Sequence, residues 1–262
     1  MTVIDFHTHI YPEKISDKAV KSVGDFYNIE MREDGTASSL IEKGKKNGIS
    51  NYVVCSVAID GNHVEAINNY ISSECSTHDE LHGLAATHLE YPDKIGEMER
   101  AVRLGLKGVK IHPDTQKFYI DDKGMYELYD YLQEKELPIL IHTGDYRYDF
   151  SHPRRLKKVL SDFPRLRAVA AHFGGWSLYD LALEYLLDTN CYVDTSSAIT
   201  YLGTKRAEEL INLYGAERVL FGTDFPMWST DGELAHFEKM NLTNNQLELI
   251  MHKNAEKLLK IY

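Results

Sequence analysis

The chain has 262 residues, a formal net charge of -11, a sequence pI near 5.5 and a hydrophobic content of 43%. This length and apolar content support one sizeable α/β domain, while the acidity argues against nucleic acid or an anionic membrane surface as a partner. Three widely spaced cysteines without a CxxC pair indicate neither a disulfide framework nor a zinc ribbon, so we expect a cytoplasmic protein without a secretion signal or membrane span.

Short aliphatic runs alternate along the chain with longer amphipathic stretches, which is typical of parallel strands joined by helical crossovers. Eight strands are predicted: Val3 to His7, Asn51 to Val57, Leu81 to Thr87, Gly108 to His112, Pro138 to His142, Ala168 to His172, Tyr192 to Asp194 and Val219 to Thr223. Eight helices are predicted: Ser38 to Asn47, His63 to Ser76, Lys94 to Leu104, Met125 to Glu136, Pro153 to Asp162, Ser177 to Leu187, Thr204 to Tyr214 and Asn244 to Ile261. Three irregular stretches are expected at the rim: Asn28 to Ala37, Tyr146 to Ser151 and Pro226 to Asp231.

Residue types that bind metals stand at the ends of four of these strands. His7 and His9 are two positions apart, so their imidazoles share one face of the first strand. His142 and His172 close the fifth and sixth strands, and Asp224 follows the eighth. An open sheet would gather its ligands at one switch point, whereas closure brings strand one beside strand eight. The sequence therefore predicts a single (β/α)8 TIM barrel over residues 1–262, with a metal site at the C-terminal face of the strands.

These strand ends lie in short motifs that resemble those of a known superfamily. The motifs are the HxH pair, Gly108-Val109-Lys110-Ile111-His112-Pro113, Ile141-His142-Thr143-Gly144, Ala171-His172-Phe173-Gly174-Gly175, Gly222-Thr223-Asp224-Phe225-Pro226 and Asn254-Ala255-Glu256-Lys257-Leu258-Leu259. Together they resemble the amidohydrolase superfamily. In particular they resemble the amidohydrolase 2 branch of TIM-barrel metal-dependent hydrolases, which also contains the aminocarboxymuconate semialdehyde decarboxylases. The match covers nearly the whole chain in the correct order.

The resemblance implies a divalent ion held by His7, His9, His142 and Asp224. It also implies a catalytic role for His172, as general acid/base or as a stabiliser of transition-state charge. Asp224 would then both ligate the ion and pass a proton to the leaving group. Three imidazoles and one carboxylate suit Zn²⁺, with Mn²⁺ as the alternative because nitrogen and oxygen ligands do not discriminate sharply between these ions.

The number of ions depends on the interpretation of Lys110. In other superfamily members a carboxylated lysine on the fourth strand bridges two metals. In that arrangement His7 and His9 would hold one ion, and His142 and His172 the other. The resemblance to the decarboxylase-like branch, whose members usually work with one metal, implies one ion.

Four further residues are predicted to shape the substrate pocket or to serve a second metal. Alternation places Lys110 and His112 on one face of the fourth strand, toward the barrel mouth. Arg147 follows the fifth strand, where its guanidinium could clamp a carboxylate, and Trp176 would wall off solvent.

The favoured function is a hydrolase in which the ion activates water for attack on an amide, ester or lactone bond of a small polar substrate. The alternative is a metal-dependent decarboxylase or hydratase of a small carboxylated compound. A phosphodiesterase resembling the TatD-type nucleases and a non-catalytic metal-binding protein rank lower. The expected partner is a small molecule, and an exposed aromatic rim is compatible with a homodimer.

Overall fold

The strands of the sheet follow one another in sequence order. The computed structural model describes residues 2–261, so the two end positions of the predicted 1–262 domain lie outside the described residues. The strands are β1 (Ile4–His9), β2 (Asn51–Cys55), β3 (Leu81–Gly83), β4 (Ala85–Ala86), β5 (Val109–Ile111), β6 (Pro138–Ile141), β7 (Arg167–Ala170), β8 (Tyr192–Asp194) and β9 (Val219–Leu220). Only Leu84 separates β3 from β4, and together they form the single predicted third strand. The described sheet therefore has the eight predicted strand positions.

Helices separate most of the strands and cover the outside of the sheet. They are α1 (Glu13–Tyr27), α2 (Ala37–Lys46), α3 (Val64–Thr77), α4 (Lys94–Arg103), α5 (Pro113–Gln116), α6 (Tyr126–Lys135), α7 (Pro153–Asp162), α8 (Tyr179–Leu186), α9 (Ile199–Tyr214), α10 (Thr230–Phe237), α11 (Asn244–Glu248) and α12 (Asn254–Leu259). The predicted last helix is divided by a π-helical turn over Leu249–Lys253. Helices α1, α5 and α10 were not predicted, and α10 corrects the assignment of Thr230 and Asp231 to an irregular rim. Within residues 2–261, no helix has both the length and the apolar character needed to cross a lipid bilayer.

Backbone hydrogen bonds close the strands into a ring. Each pair of neighbouring strands is parallel, in two ladders, β1 to β3 and β4 to β9. Leu84 links the two ladders. Its N–H donates to the Val54 carbonyl at 2.9 Å, and the Ala85 N–H donates to the carbonyl of Gly108, the residue just before β5, at 2.8 Å. At the other seam the Phe6 N–H donates to the Phe221 carbonyl and the Asp224 N–H to the His7 carbonyl, both at 2.8 Å. The first strand thus lies beside the last, as barrel closure requires.

Two apolar cores follow from the alternation of side chains along the strands. A smaller core fills the barrel with one or two residues from most strands: Ile4, Phe6, Val53, Cys55, Leu84, Leu140, Val169 and Leu220, closed at one end by Leu258 and Leu259. The intervening strand residues, such as Val109 and Ile139, face the larger core between sheet and helices. This inside-outside pattern is that of a packed barrel whose functional residues sit at the strand ends.

A local irregularity in β1 positions the HxH pair. The pairing of β1 with β2 shifts register between Asp5 and Thr8. Strict alternation from the buried Phe6 would turn His7 away from the interior. The bulge resets the alternation, so His7 and His9 point into the barrel mouth above Phe6.

Candidate metal centre

Three side chains from opposite ends of the sequence meet at the mouth of the barrel, and we call His7, His9 and Asp224 the inward triad. His7 Nε2 lies 3.2 Å from His9 Nε2. The Asp224 Oδ1 atom lies 3.6 Å from His7 Nε2 and 3.5 Å from His9 Nε2. Donors around a tetrahedral ion with 2.1 Å bonds stand about 3.4 Å apart, so these three atoms fit a shared cation.

The outer side of the His7 ring is held by a buried carboxylate. His7 Nδ1 lies 2.9 Å from Asp194 Oδ2 and 2.9 Å from the Ser196 hydroxyl oxygen. Asp194 also accepts from the His172 backbone N–H at 3.0 Å. His7, His172 and Asp194 also lie close enough together to form a candidate ligand group. However, both Asp194 oxygens already face donors behind His7, which is the arrangement expected of a carboxylate that orients a ligand.

His142 and His172 form a second pair of inward nitrogens. His142 Nδ1 lies 3.0 Å from His172 Nε2. His172 Nδ1 lies 2.8 Å from the Ser196 carbonyl oxygen. Because a carbonyl only accepts, His172 Nδ1 carries the proton and its Nε2 faces the site. His142 is not within 4.8 Å of all three donors of the inward triad, so the structure gathers three of the four predicted ligands as a compact set and places His142 beside His172.

A third group of potential ligands lies behind His142. His142 Nε2 stands 3.5 Å from Asp114 Oδ2, and both residues are buried. The His112 ring stacks on His142 with centroids 3.9 Å apart and planes 8° apart. Ring lone pairs lie in the ring plane, so an ion in the plane of one ring would lie well out of the plane of the other. His112 instead contacts the Tyr27 hydroxyl through Nε2 at 2.6 Å, which argues against a shared ion here.

Lys110 faces the inward triad from β5. Its side chain is only 1% exposed, and Nζ lies 2.9 Å from His7 Nε2. Burial lowers the pKa of Lys110, which eases loss of its proton. Both the ammonium and the neutral amine can donate to an imidazole lone pair, and the neutral amine is the form that can be carboxylated, so both predicted roles of Lys110 stay open.

Burial and charge set the protonation of the site. Burial, followed by the nearby Lys110 charge, lowers the pKa of His7 to about 4. Burial also lowers the pKa of His172. For Asp224, burial opposes ionisation, but the neighbouring His7 and His9 more than offset it and hold the pKa well below its usual range. At neutral pH these shifts favour a neutral imidazole at His7 and a carboxylate at Asp224, which are the ligand forms that metals require. At His9 the effect of burial is outweighed by Cys55 and Asp224, which raise the pKa to about 9, so a cation binding there must displace a proton.

The backbone leaves the strands in strained conformations at this site. His172, Ser197 and Asp224 have φ values of 60°, 55° and 61°. These left-handed values are unfavourable for residues with a Cβ and persist where the surroundings enforce them. At Asp224 the backbone N–H donates to the His7 carbonyl at 2.8 Å. The side chain is held by the Ser197 hydroxyl, which donates to Oδ2 at 2.5 Å and accepts from Trp228 Nε1 at 2.8 Å.

Arg147 and Trp176 lie at the rim against helix α1. The Arg147 guanidinium pairs with the buried Asp145, with Nη2 donating to Oδ2 at 2.6 Å, and its Nη1 donates to the Phe26 carbonyl at 2.7 Å. The Tyr27 ring lies 5.1 Å from Trp176. Arg147 therefore ties α1 to the barrel, and its predicted role as a carboxylate clamp has no observation in its favour.

Four residues of the site were not among the predicted ones: Tyr27, Asp194, Ser196 and Ser197. Tyr27 belongs to α1, a helix that was not predicted. Asp194 ends a predicted strand, and this position was the available signal, because other strand-end residues were read as site residues. The two serines follow after Thr195, and only the fold shows that Ser196 contacts His172 and Ser197 contacts Asp224.

Comparison with known proteins decides the family. The amidohydrolase family model Amidohydro_2 matches residues 4–261. The chain belongs to the amidohydrolase family. This confirms the resemblance carried by the strand-end motifs.

Solved structures of similar fold confirm the TIM barrel. A TIM-barrel protein from Bordetella bronchiseptica has a TM-score of 0.77 and 21% identity, covering 99% of both chains. A dihydroxybenzoic acid decarboxylase from Polaromonas sp. JS666, with bound manganese and the inhibitor 2-nitroresorcinol, has a TM-score of 0.77 and 17% identity, covering 99% of this chain and 97% of that chain.

A curated relative matches part of the chain in sequence. Decarboxylase orsB of Emericella nidulans is 27% identical over 126 residues. The match covers 40% of this chain and 37% of orsB. The match therefore spans little more than a third of that protein.

Proposed function

We propose that this amidohydrolase-family chain is a metal-dependent decarboxylase of a small hydroxylated aromatic acid. The observation that carries the choice of reaction is the sequence match to a decarboxylase, orsB. The similar fold of a dihydroxybenzoic acid decarboxylase supports it. Decarboxylation is the alternative function given by the sequence analysis, and these comparisons favour it over hydrolysis.

The inward triad is the proposed cation site. Mn²⁺ is the first ion to test, because the Polaromonas decarboxylase holds manganese. The predicted preference for Zn²⁺ stays a prediction, since imidazole and carboxylate ligands accept both ions. When bound, the ion supplies Lewis-acid polarisation of substrate oxygens.

The chain's own contribution to the reaction is a positioned proton. Decarboxylation breaks the bond between the ring carbon and its carboxylate, releases CO₂ and leaves an electron pair that must take up a proton. We assign this proton to His172 Nε2, because His172 Nδ1 remains bonded to the Ser196 carbonyl throughout. Burial lowers the pKa of His172, which makes its imidazolium a stronger acid, while the nearby Asp224 and Asp194 favour loading of the proton. Solvent then restores the proton.

The test is to incubate the Mn²⁺-loaded protein with a panel of hydroxybenzoates in D₂O. We expect one CO₂ per substrate consumed and one deuterium on the carbon that loses the carboxylate. Consumption of any panel member without CO₂ release, or no turnover of the whole panel by fully loaded protein, would count against a decarboxylase of this class.

Hydrolysis is the second candidate, because a triad of this kind also activates water in metal hydrolases. Esters, lactones and amides in H₂¹⁸O separate the two reactions. Transfer of ¹⁸O to a carboxylate product without CO₂ would favour the hydrolase.

The number of ions is a separate question with its own measurement. The nitrogens fall into two pairs, His7 with His9 at 3.2 Å and His142 with His172 at 3.0 Å, which is the grouping of the two-ion alternative. The sequence favours one ion, and we keep that proposal. Elemental analysis of the dialysed protein should return one equivalent of Mn²⁺ per chain. Two equivalents would contradict the one-ion proposal and favour the alternative in which a carboxylated Lys110 bridges two ions.

A further inference from the structure

Asp194 is buried behind His7, outside the inward triad, and its two oxygens face different donors. Oδ1 accepts from the backbone N–H groups of His172 at 3.0 Å and Ser196 at 3.1 Å, and from the Ser196 hydroxyl at 2.5 Å. Oδ2 faces His7 Nδ1 at 2.9 Å. Because backbone N–H groups can only donate, Oδ1 cannot exchange places with a donor atom.

We propose that Asp194 is a positioning residue that fixes His7 as the Nδ1–H tautomer, so that the His7 Nε2 lone pair faces the cation. This inference rests on the proposed role of the inward triad. An ionised carboxylate has no proton to give, so the contact with Oδ2 requires the proton to sit on His7 Nδ1. A neutral imidazole with its proton on Nδ1 has its lone pair on Nε2, the atom that lies 3.2 Å from His9 Nε2.

The same turn fixes the second important imidazole. The Ser196 carbonyl accepts from His172 Nδ1, and the Ser196 hydroxyl lies 2.9 Å from Nδ1 of both His7 and His172. The segment from Asp194 to Ser196 therefore sets which nitrogen faces the site in a proposed ligand and in the proposed proton donor. Outer partners of this kind set the tautomer and orientation of metal-bound histidines.

The substitution Asp194→Asn isolates this role because the two side chains have the same shape. The two backbone N–H groups require the amide oxygen at the position of Oδ1, so the amide nitrogen must face His7 Nδ1. An amide NH₂ donates and cannot accept there. His7 then moves its proton to Nε2, which removes the inward lone pair.

We expect Asp194→Asn to weaken Mn²⁺ binding about 10- to 100-fold, the range found when outer partners of metal ligands are removed. Mn²⁺ titration followed by electron paramagnetic resonance measures this change. In metal-free protein labelled with ¹⁵N-histidine, the His7 signals should change from the Nδ1–H to the Nε2–H pattern.

Two control variants distinguish a change in the His7 tautomer from other effects of removing a polar side chain. Asp162→Asn removes an exposed carboxylate on α7 and should change neither measurement. Ser196→Ala keeps the contact between Asp194 and His7, so the His7 tautomer should stay Nδ1–H.

The outcomes are distinguishable from failure of the proposed function. If wild-type protein binds no Mn²⁺, the cation site is wrong, but the tautomer in metal-free protein still tests Asp194. Equal Mn²⁺ affinity in Asp194→Asn, or an unchanged His7 tautomer, overturns the inference. If Asp194→Asn does not fold, an Nε2–H signal from His7 in the metal-free wild type would overturn it equally.

Discussion

Three imidazoles at the barrel mouth, those of His7, His9 and His172, each have one nitrogen in contact with the surrounding protein. His7 is held by Asp194 and His172 by the Ser196 carbonyl. His9 Nδ1 lies 3.6 Å from the thiol sulfur of Cys55. These contacts fix the rings before any ligand arrives, so little ordering of side chains remains to be done on binding.

Replacing His172 should separate chemistry from metal binding. His172→Gln removes the proposed proton donor but leaves the inward triad intact, so we expect CO₂ release to fall at least about 100-fold with unchanged Mn²⁺ content. Turnover and elemental analysis of the same samples measure both effects. Loss of the ion in this variant would instead make His172 a ligand.

Replacing Asp224, unlike replacing His172, should abolish metal binding as well as turnover. Asp224→Ala removes the carboxylate of the inward triad, so we expect loss of bound Mn²⁺ and of turnover together. His142→Ala is the informative companion, because a single four-ligand site also predicts loss of the ion there. Full retention of metal and activity in either variant would refute its assignment as a ligand.

At the scale of elements, the strands could be predicted because each is a short aliphatic run that is buried on both faces. Pro138 to Ile141 is such a run, and it begins and ends within one residue of its predicted limits. Helix α1 could not be predicted in this way. Its buried residues, Ser16 and Gly24, are small and give little of the hydrophobic signal by which the other helices were recognised. The residues it adds to the site were missed with it.

Arg147 should control how firmly α1 is attached. Arg147→Lys keeps a positive charge near Asp145 but loses the bond to the Phe26 carbonyl. We expect faster amide hydrogen exchange at the end of α1 and a stability loss of about 1 kcal/mol. Arg154→Lys, at a more exposed pair with Asp149, is the matched control and should leave α1 unchanged. Equal rates of amide hydrogen exchange at the end of α1 in the two variants would contradict the proposal that Arg147 attaches α1 to the barrel.

At the scale of the whole molecule, the barrel and its closure could be predicted from the order of the strand-end motifs. The strand-end position of Asp194 was a signal, but its contact with His7 could not be predicted, because the two residues are 187 positions apart and no motif marks the carboxylate. The position of His142, the fourth predicted ligand, away from the inward triad could not be predicted either. It depends on ring orientation, which residue spacing does not encode.

Stability should depend on pH through Glu233 of α10. Glu233 is 2% exposed, and burial raises its pKa to about 8 from 4.5. A pKa raised in the folded state means that its contribution to stability is present below pH 4.5 and is lost as pH rises through 8. Glu233→Gln cannot ionise, so we expect it to exceed the wild type by on the order of 2 kcal/mol at pH 8.5, with the difference shrinking toward pH 5. Urea unfolding at both pH values measures this, and a constant difference would contradict it.

The seam between β1 and the segment after β9 has a consequence for synthesis on the ribosome. His9 and Asp224 are 215 positions apart, so the ribosome makes a long segment of the chain between them. During that time the nascent polypeptide contains both imidazoles without their carboxylate partner. The three donors can therefore meet only after the ring has closed, and a cation held at the proposed site would oppose reopening of the ring.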